Sequence, residues 1–186
     1  MSNFNFDPSK VIVTFGNREF FGPHLDRICH SQFLNLLIVY KQIVDVDFGE
    51  KGFTTRTILV EELKEAGMSL SDLDAIAKEN TARLLPAVID DYMGMRVLTN
   101  TSGCQGASAV MYSSLVEQTA EEFGTDVYIL PSSIHEMILV PVNEDFTVSN
   151  LRNMVKAANC TVVQPKEVLS DSVYVYHRDT SEISIA

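Results

Sequence analysis

The block from Met95 to Val142 constrains the fold of this chain most, because strand, turn and helix signals follow one another there without a gap. Met95 to Thr99 reads as a strand, Gly103-Cys104-Gln105-Gly106 as a tight turn, and Ala107 to Tyr112 as the hairpin partner. Ser114 and Glu117 have capping-box spacing, which predicts a helix start. Leu115, Val116, Ala120 and Phe123 supply its apolar face, and Gly124 is placed as the C-cap. Asp126 to Leu130 and Met137 to Val142 follow as two strands around a turn from Pro131 to Glu136. Beyond it, Thr147 is a candidate N-cap, and Phe146 is placed to staple onto Leu151 of a helix running to about Ala158. Ser172 to Tyr176 alternates and reads as a last strand. The second half thus reads ββαββα and then β. Hairpins with helices laid on one sheet face make an α+β layer architecture.

The first half is less sharply punctuated. Val11 to Phe15 is a short apolar run ended by Gly16-Asn17, a strand and a turn. Gly22-Pro23 opens a brief helical segment. Phe33 to Val44 reads as a long buried strand, although periodicity alone leaves a helix open. The turn from Phe48 to Gly52 leads to a return strand from Thr54 to Val60. Glu61 to Ala66 is a short helix closed by Gly67. Ser69 with Asp72, or Ser71 with Asp74, can form a capping box. Leu70, Leu73, Ile76, Ala77, Asn80 and Leu84 then share one helical face, and Pro86 stops the helix. No linker or low-complexity run separates the halves. We therefore expect a single α+β domain over residues 1–186, with a possible subdivision at 1–92 and 93–186.

Several stretches carry the pattern of a known family. These are Met95-Arg96-Val97-Leu98-Thr99-Asn100, Gly106-Ala107-Ser108-Ala109, Tyr128 through Glu136, and Val168 through Tyr174, with Glu79 through Ala87 upstream. In these the chain resembles an uncharacterised bacterial domain-of-unknown-function family of gut clostridia and their phages and mobile elements, distantly similar to the YtpQ family. The resemblance runs from about Pro23 to the C-terminus. It implies an uncharacterised protein of a bacterial host or mobile element, and it supplies no catalytic residues. Members are commonly longer at the N-terminus.

Charge narrows the function classes. The net charge is −11, and no Lys or Arg occurs between Arg96 and Arg152. Nucleic-acid binders neutralise phosphates with Lys and Arg, so direct DNA or RNA binding is not expected. Glu117, Glu121, Glu122 and Asp126 are the candidate residues for a basic protein partner, drawn by long-range attraction. The longest apolar stretch, Phe33 to Tyr40, is far short of the roughly 20 residues that span a bilayer. Three cysteines without C-x-x-C spacing argue against a disulfide framework or a thiolate zinc site, and they fit a reducing cytoplasm.

Ser132, Ser133, His135 and Glu136 invite a hydrolase reading, with Ser133 as nucleophile, His135 as base and Glu136 to orient it. Triads usually gather from distant parts of the chain, and no G-x-S-x-G elbow is present. The competing reading is a hairpin turn in which these side chains bond the local backbone. The histidines lie far apart and lack metal-ligand spacing, so no metal and no cofactor is expected. The leading expectation is a non-enzymatic, protein-binding accessory protein with an acidic face. The alternatives are an acidic DNA mimic that inhibits a nuclease of host defence, and a hydrolase built on Ser133 and His135. The sequence does not address oligomeric state.

Overall fold

The computed structural model describes residues 5–47, 52–92 and 95–186. The expected turn at Phe48 to Lys51 lies outside them. Two antiparallel sheets carry the fold. The first contains β1 (Val11–Gly16), β2 (His30–Phe33), β3 (Leu36–Asp47) and β4 (Gly52–Thr57). β1 pairs along one edge of β3, from Val11↔Gln42 to Gly16↔Leu37. β2 and β4 share the opposite edge, β2 on its first residues and β4 on the rest. One long strand thereby serves as the spine. The expected strand over Phe33 to Val44 is two strands, broken where Leu34 takes a positive φ of 52° and turns the chain.

The helices of the first half are α1 (Arg18–Phe21), α2 (Val60–Glu65) and α3 (Leu70–Leu84). In α3 the capping box is the one at Ser69, whose hydroxyl accepts from Asp72 N while the Asp72 carboxylate accepts from Ser69 N. Leu73 and Ala77 enter the main core, whereas Asn80 and Thr81 have another task. Asn80 Nδ2 donates to Val11 O at 3.0 Å, and Thr81 Oγ1 accepts from Val13 N at 2.9 Å. From the second half, Ser108 Oγ donates to Val13 O at 3.1 Å. Buried polar side chains thus satisfy the outer edge of β1, where bare backbone groups would otherwise invite another strand.

The second sheet has the order β10-β9-β7-β8-β6-β5. Its strands are β5 (Ala87–Tyr92), β6 (Met95–Asn100), β7 (Val127–Ser133), β8 (Glu136–Pro141), β9 (Tyr174–His177) and β10 (Glu182–Ile185), and its helices are α4 (Leu115–Phe123) and α5 (Val148–Thr161). The α+β class holds. The hairpin partner of β6 is β5, on its N-terminal side, while the expected strand at Ala107 to Tyr112 is a 3-10 helix, Gly106–Met111. Every residue from Gly106 to Val110 is buried, so its small and apolar run fills the core instead of alternating across a sheet. The covering also differs from the expected single face. Val127, Ile129, Met137 and Leu139 pack with Val116 and Ala120 of α4, while Leu130 and Val140 pack with Leu151 and Val155 of α5 on the other face. Alternation along β7 and β8 sends successive side chains to opposite faces, and both faces are apolar.

The larger cluster also takes in Val11, Val13, Phe15, Leu36, Ile38 and Tyr40 of the first sheet. The two sheets therefore share one core, with the 3-10 helix wedged against both. Direct bonds tie the two halves of the chain as well: Tyr174 Oη donates to Asn35 Oδ1 at 2.6 Å, and Tyr112 Oη to Leu85 O at 3.0 Å.

Candidate functional site

The β7–β8 turn reaches the seam between the sheets, and there it meets the loop that follows β6. Hydrogen bonds to its backbone fix the turn: Ile134 N donates to Glu167 O at 3.0 Å, Ala107 N to Ile134 O at 3.2 Å, and the Thr99 hydroxyl to His135 O at 2.8 Å. The loop presses so closely on it that a Cβ on Gly106 would stand 2.3 Å from Thr99 Oγ1 and 2.7 Å from both Asn100 N and His135 O. Only glycine permits that approach. From the first half, Asn17 Nδ2 donates to Pro165 O and Val168 O, holding the segment that carries Lys166 and Glu167.

These pieces line an open cavity of about 210 Å³. Phe15, Phe20, Phe21 and Ile134 form its apolar walls, and Lys41, Cys104, Gln105, His135, Lys166 and Glu167 bring polar groups to it. Gln105 is the hinge of the arrangement. It takes a left-handed φ of 54°, unusual for a residue with a side chain. Its N–H donates to His135 Nδ1 at 3.1 Å, and its Oε1 accepts from Lys41 Nζ at 2.8 Å. Because Nδ1 accepts, the neutral ring carries its proton on Nε2, which faces Glu167 Oε1 at 3.8 Å.

Lys41 projects from β3 toward the cavity, 6.0 Å from the centre of the Phe21 ring. Among the described residues no carboxylate lies within ion-pair distance of it. Burial brings its pKa down to about 8, opposed by the nearby Cys104. Burial pushes the Cys104 thiol up, Lys41 draws it down, and Glu167 adds to the rise.

Of the residues singled out as a hydrolase triad, His135 alone lines this cavity. Ser133 Oγ accepts from His135 N at 3.0 Å, a bond within the turn, and Ser132 Oγ donates to Glu136 Oε1 at 3.0 Å. Lys41, Cys104 and Glu167 carry no local motif. They converge only because β3, the loop after β6 and the 3-10 helix Pro165–Glu167 meet at the seam.

The acidic residues divide into two pairs. Glu117 and Glu121, one turn apart on α4, line a surface hollow of about 350 Å³ with Tyr176, Arg178 and Asp179. Glu122 is ion-paired with Arg96, whose guanidinium also stacks over Phe123 at 5.0 Å. Asp126 accepts from Arg178 N at 3.1 Å and lies 3.3 Å from His177 Nδ1. The stretch without positive charge in sequence therefore acquires arginines in space. Among the described residues, no group of three or more His, Cys, Asp or Glu gathers to hold a metal. No helix among them is long and apolar enough to cross a membrane.

Residues 90–178 match a family of unknown function (DUF5688). The match is narrower than the resemblance read from the residues and spans just under half of the chain. It contains Cys104, Gln105, His135 and Glu167 but not Lys41. Neither the curated proteins nor the solved structures yield a match.

Proposed function

We propose that this protein binds a small organic anion, with a carboxylate as the charged group, in the cavity between its two sheets. One observation carries the reading: the Lys41 ammonium sits against aromatic walls with a neutral amide as its hydrogen-bond partner, and among the described residues no carboxylate, Glu167 of the same cavity included, comes within ion-pair distance of it. A partly buried charge without a counter-ion is costly, and a ligand that supplies the counter-ion recovers that cost on binding. The cavity is smaller than the usual ligand site, so a ligand of a few carbon atoms fits better than a peptide. Calorimetric titration with short mono- and dicarboxylates, and with the matching amides, tests this. Carboxylates should bind and the amides should not, and Lys41→Met should abolish the difference. Equal weak heats from both series would sink the reading.

A second reading concerns the acidic surface. Glu117 and Glu121 form no ion pair among the described residues and share a hollow with Asp179 and Arg178, three carboxylates to one guanidinium, which leaves net negative charge for a Lys or Arg side chain of a protein partner. A pull-down at low and high salt, compared with a Glu117→Gln/Glu121→Gln variant, tests it; one partner lost both at high salt and in the variant is the expected result. A DNA mimic of a mobile element has less support, because the Arg96 guanidinium pairs with Glu122 and Arg178 lies in the hollow with Glu117 and Glu121, so positive charge interrupts any run of phosphate-like charges.

A further inference from the structure

The cavity that we read as an anion site holds a second pair of polar groups, which a simple carboxylate leaves unused. His135 Nδ1 accepts the Gln105 N–H, so the neutral ring offers Nε2–H as a donor. Opposite it stands Glu167, whose side chain is only 20% exposed and whose carboxylate can only accept. Nε2 and Glu167 Oε1 face each other at 3.8 Å, beyond the roughly 3.2 Å at which an N–H···O bond ends. Among the described residues no other group donates to that carboxylate. One oxygen that carries a proton satisfies both sides. It accepts from Nε2–H and donates to Oε1, each bond at an ordinary length of roughly 2.8 Å. An ammonium would suit the carboxylate but would set its N–H against the imidazole N–H. A second carboxylate would suit the imidazole but would be repelled by Glu167. A hydroxyl fits both. The ammonium of Lys41 belongs to the same small cavity, and one residue touches both stations. Gln105 reaches His135 through its backbone N–H and Lys41 through its side-chain Oε1, 2.8 Å from Nζ. That keeps the two within the span of a ligand of a few carbon atoms.

We infer that the ligand is a short hydroxycarboxylate, its carboxylate on Lys41 and its hydroxyl bridging His135 Nε2–H and the Glu167 carboxylate. This rests on the cavity taking an anion. The rings of Phe15, Phe20 and Phe21 then cover the carbon chain between the two polar ends. The bridge supplies selectivity rather than charge, because an acid without the hydroxyl leaves both His135 and Glu167 without their partner.

Calorimetric titration of the full chain with butyrate, and with the three hydroxybutyrates that carry the hydroxyl on the second, third or fourth carbon, tests the inference. One of the three should bind about tenfold tighter than butyrate, the gain expected of a hydrogen bond to a charged group. Its methyl ether, which accepts but cannot donate, should lose that gain. Glu167→Met should lose it too, while holding butyrate at least as well as the parent, since a repelling charge is gone. The inference is overturned if butyrate and all three hydroxybutyrates bind alike, if the matching aminobutyrates bind tighter than the hydroxy acids, or if Glu167→Met keeps the preference. In each of these cases the binding of butyrate leaves the anion site standing. If none of these ligands binds, the anion reading falls and the hydroxyl station falls with it.

Discussion

Lys41 carries a cost in the folded state that it escapes when the chain unfolds. Its folded pKa, about 8, lies below the ordinary 10.5, so between those values the unfolded chain binds more protons and stability rises with pH. Below pH 8 both states are protonated and the full cost of the partly buried ammonium is present. Lys41→Met should therefore stabilise the protein at pH 7, by on the order of 2 kcal/mol. The gap to the parent should narrow as pH climbs from 8 toward 10.5, and denaturant melts at pH 7 and pH 9.5 read both. Gly106 makes the opposite point about space. Gly106→Ala drives a Cβ into Thr99 Oγ1 and into backbone of Asn100 and His135, so we expect a loss of about 3 kcal/mol. Gly103, whose Cβ would meet nothing, should lose only about 1 kcal/mol on change to Ala, from its left-handed φ of 67°. Paired melts of the two variants separate crowding from backbone preference.

Helix starts give a clean contrast among the elements. Ser69 and Thr147 cap α3 and α5 through their hydroxyls, whereas Ser114 makes no such bond and instead accepts from Gln118 Nε2 at 2.8 Å. Ser69→Ala and Thr147→Ala should each cost about 1 kcal/mol, and Ser114→Ala well under half of that, read by thermal melts. Sequence spacing alone made Ser114 and Ser69 look alike, since both have an acid three residues on. At Ser114 the backbone departs from the extended shape a cap requires, with φ −86° and ψ 8°. The legible elements were those with a local cause. The strands β1, β6, β7 and β8, the stop at Gly124 and the turn at His135 all follow from residues adjacent in the chain. β5 carries no strand signature, because half of it is exposed and bears Asp90 and Asp91. The buried run of the 3-10 helix at Gly106 mimics a sheet interior, so its sequence reads as a strand. For the cavity, His135 was legible as a polar residue in a turn. Lys41 and Gln105, 64 residues apart, were not, since their meeting depends on how two sheets stack.

That stacking sets the behaviour of the whole molecule. The main cluster draws on strands of both sheets, and Asn17, Asn35, Ser108 and Tyr112 bond across the seam. We expect one cooperative unfolding transition, with tyrosine fluorescence and far-ultraviolet circular dichroism coinciding. Residues 87–186 expressed alone should lack that transition and bind a hydrophobic dye. Asn17→Ala should lower the common midpoint, because two carbonyls at the seam lose their donor, at a cost of about 2 kcal/mol.

The seam also runs close to the boundary of the family match. One wall of the cavity, with its thiol and imidazole, lies inside residues 90–178, while the amine and most of the aromatic lining lie outside. The ammonium that we propose to hold an anion and the polar groups that face it thus sit on separable pieces of chain. A relative that kept the matched segment and exchanged the sheet facing it would keep one polar wall and lose the Lys41 ammonium. What the cavity selects would then be set outside the matched segment.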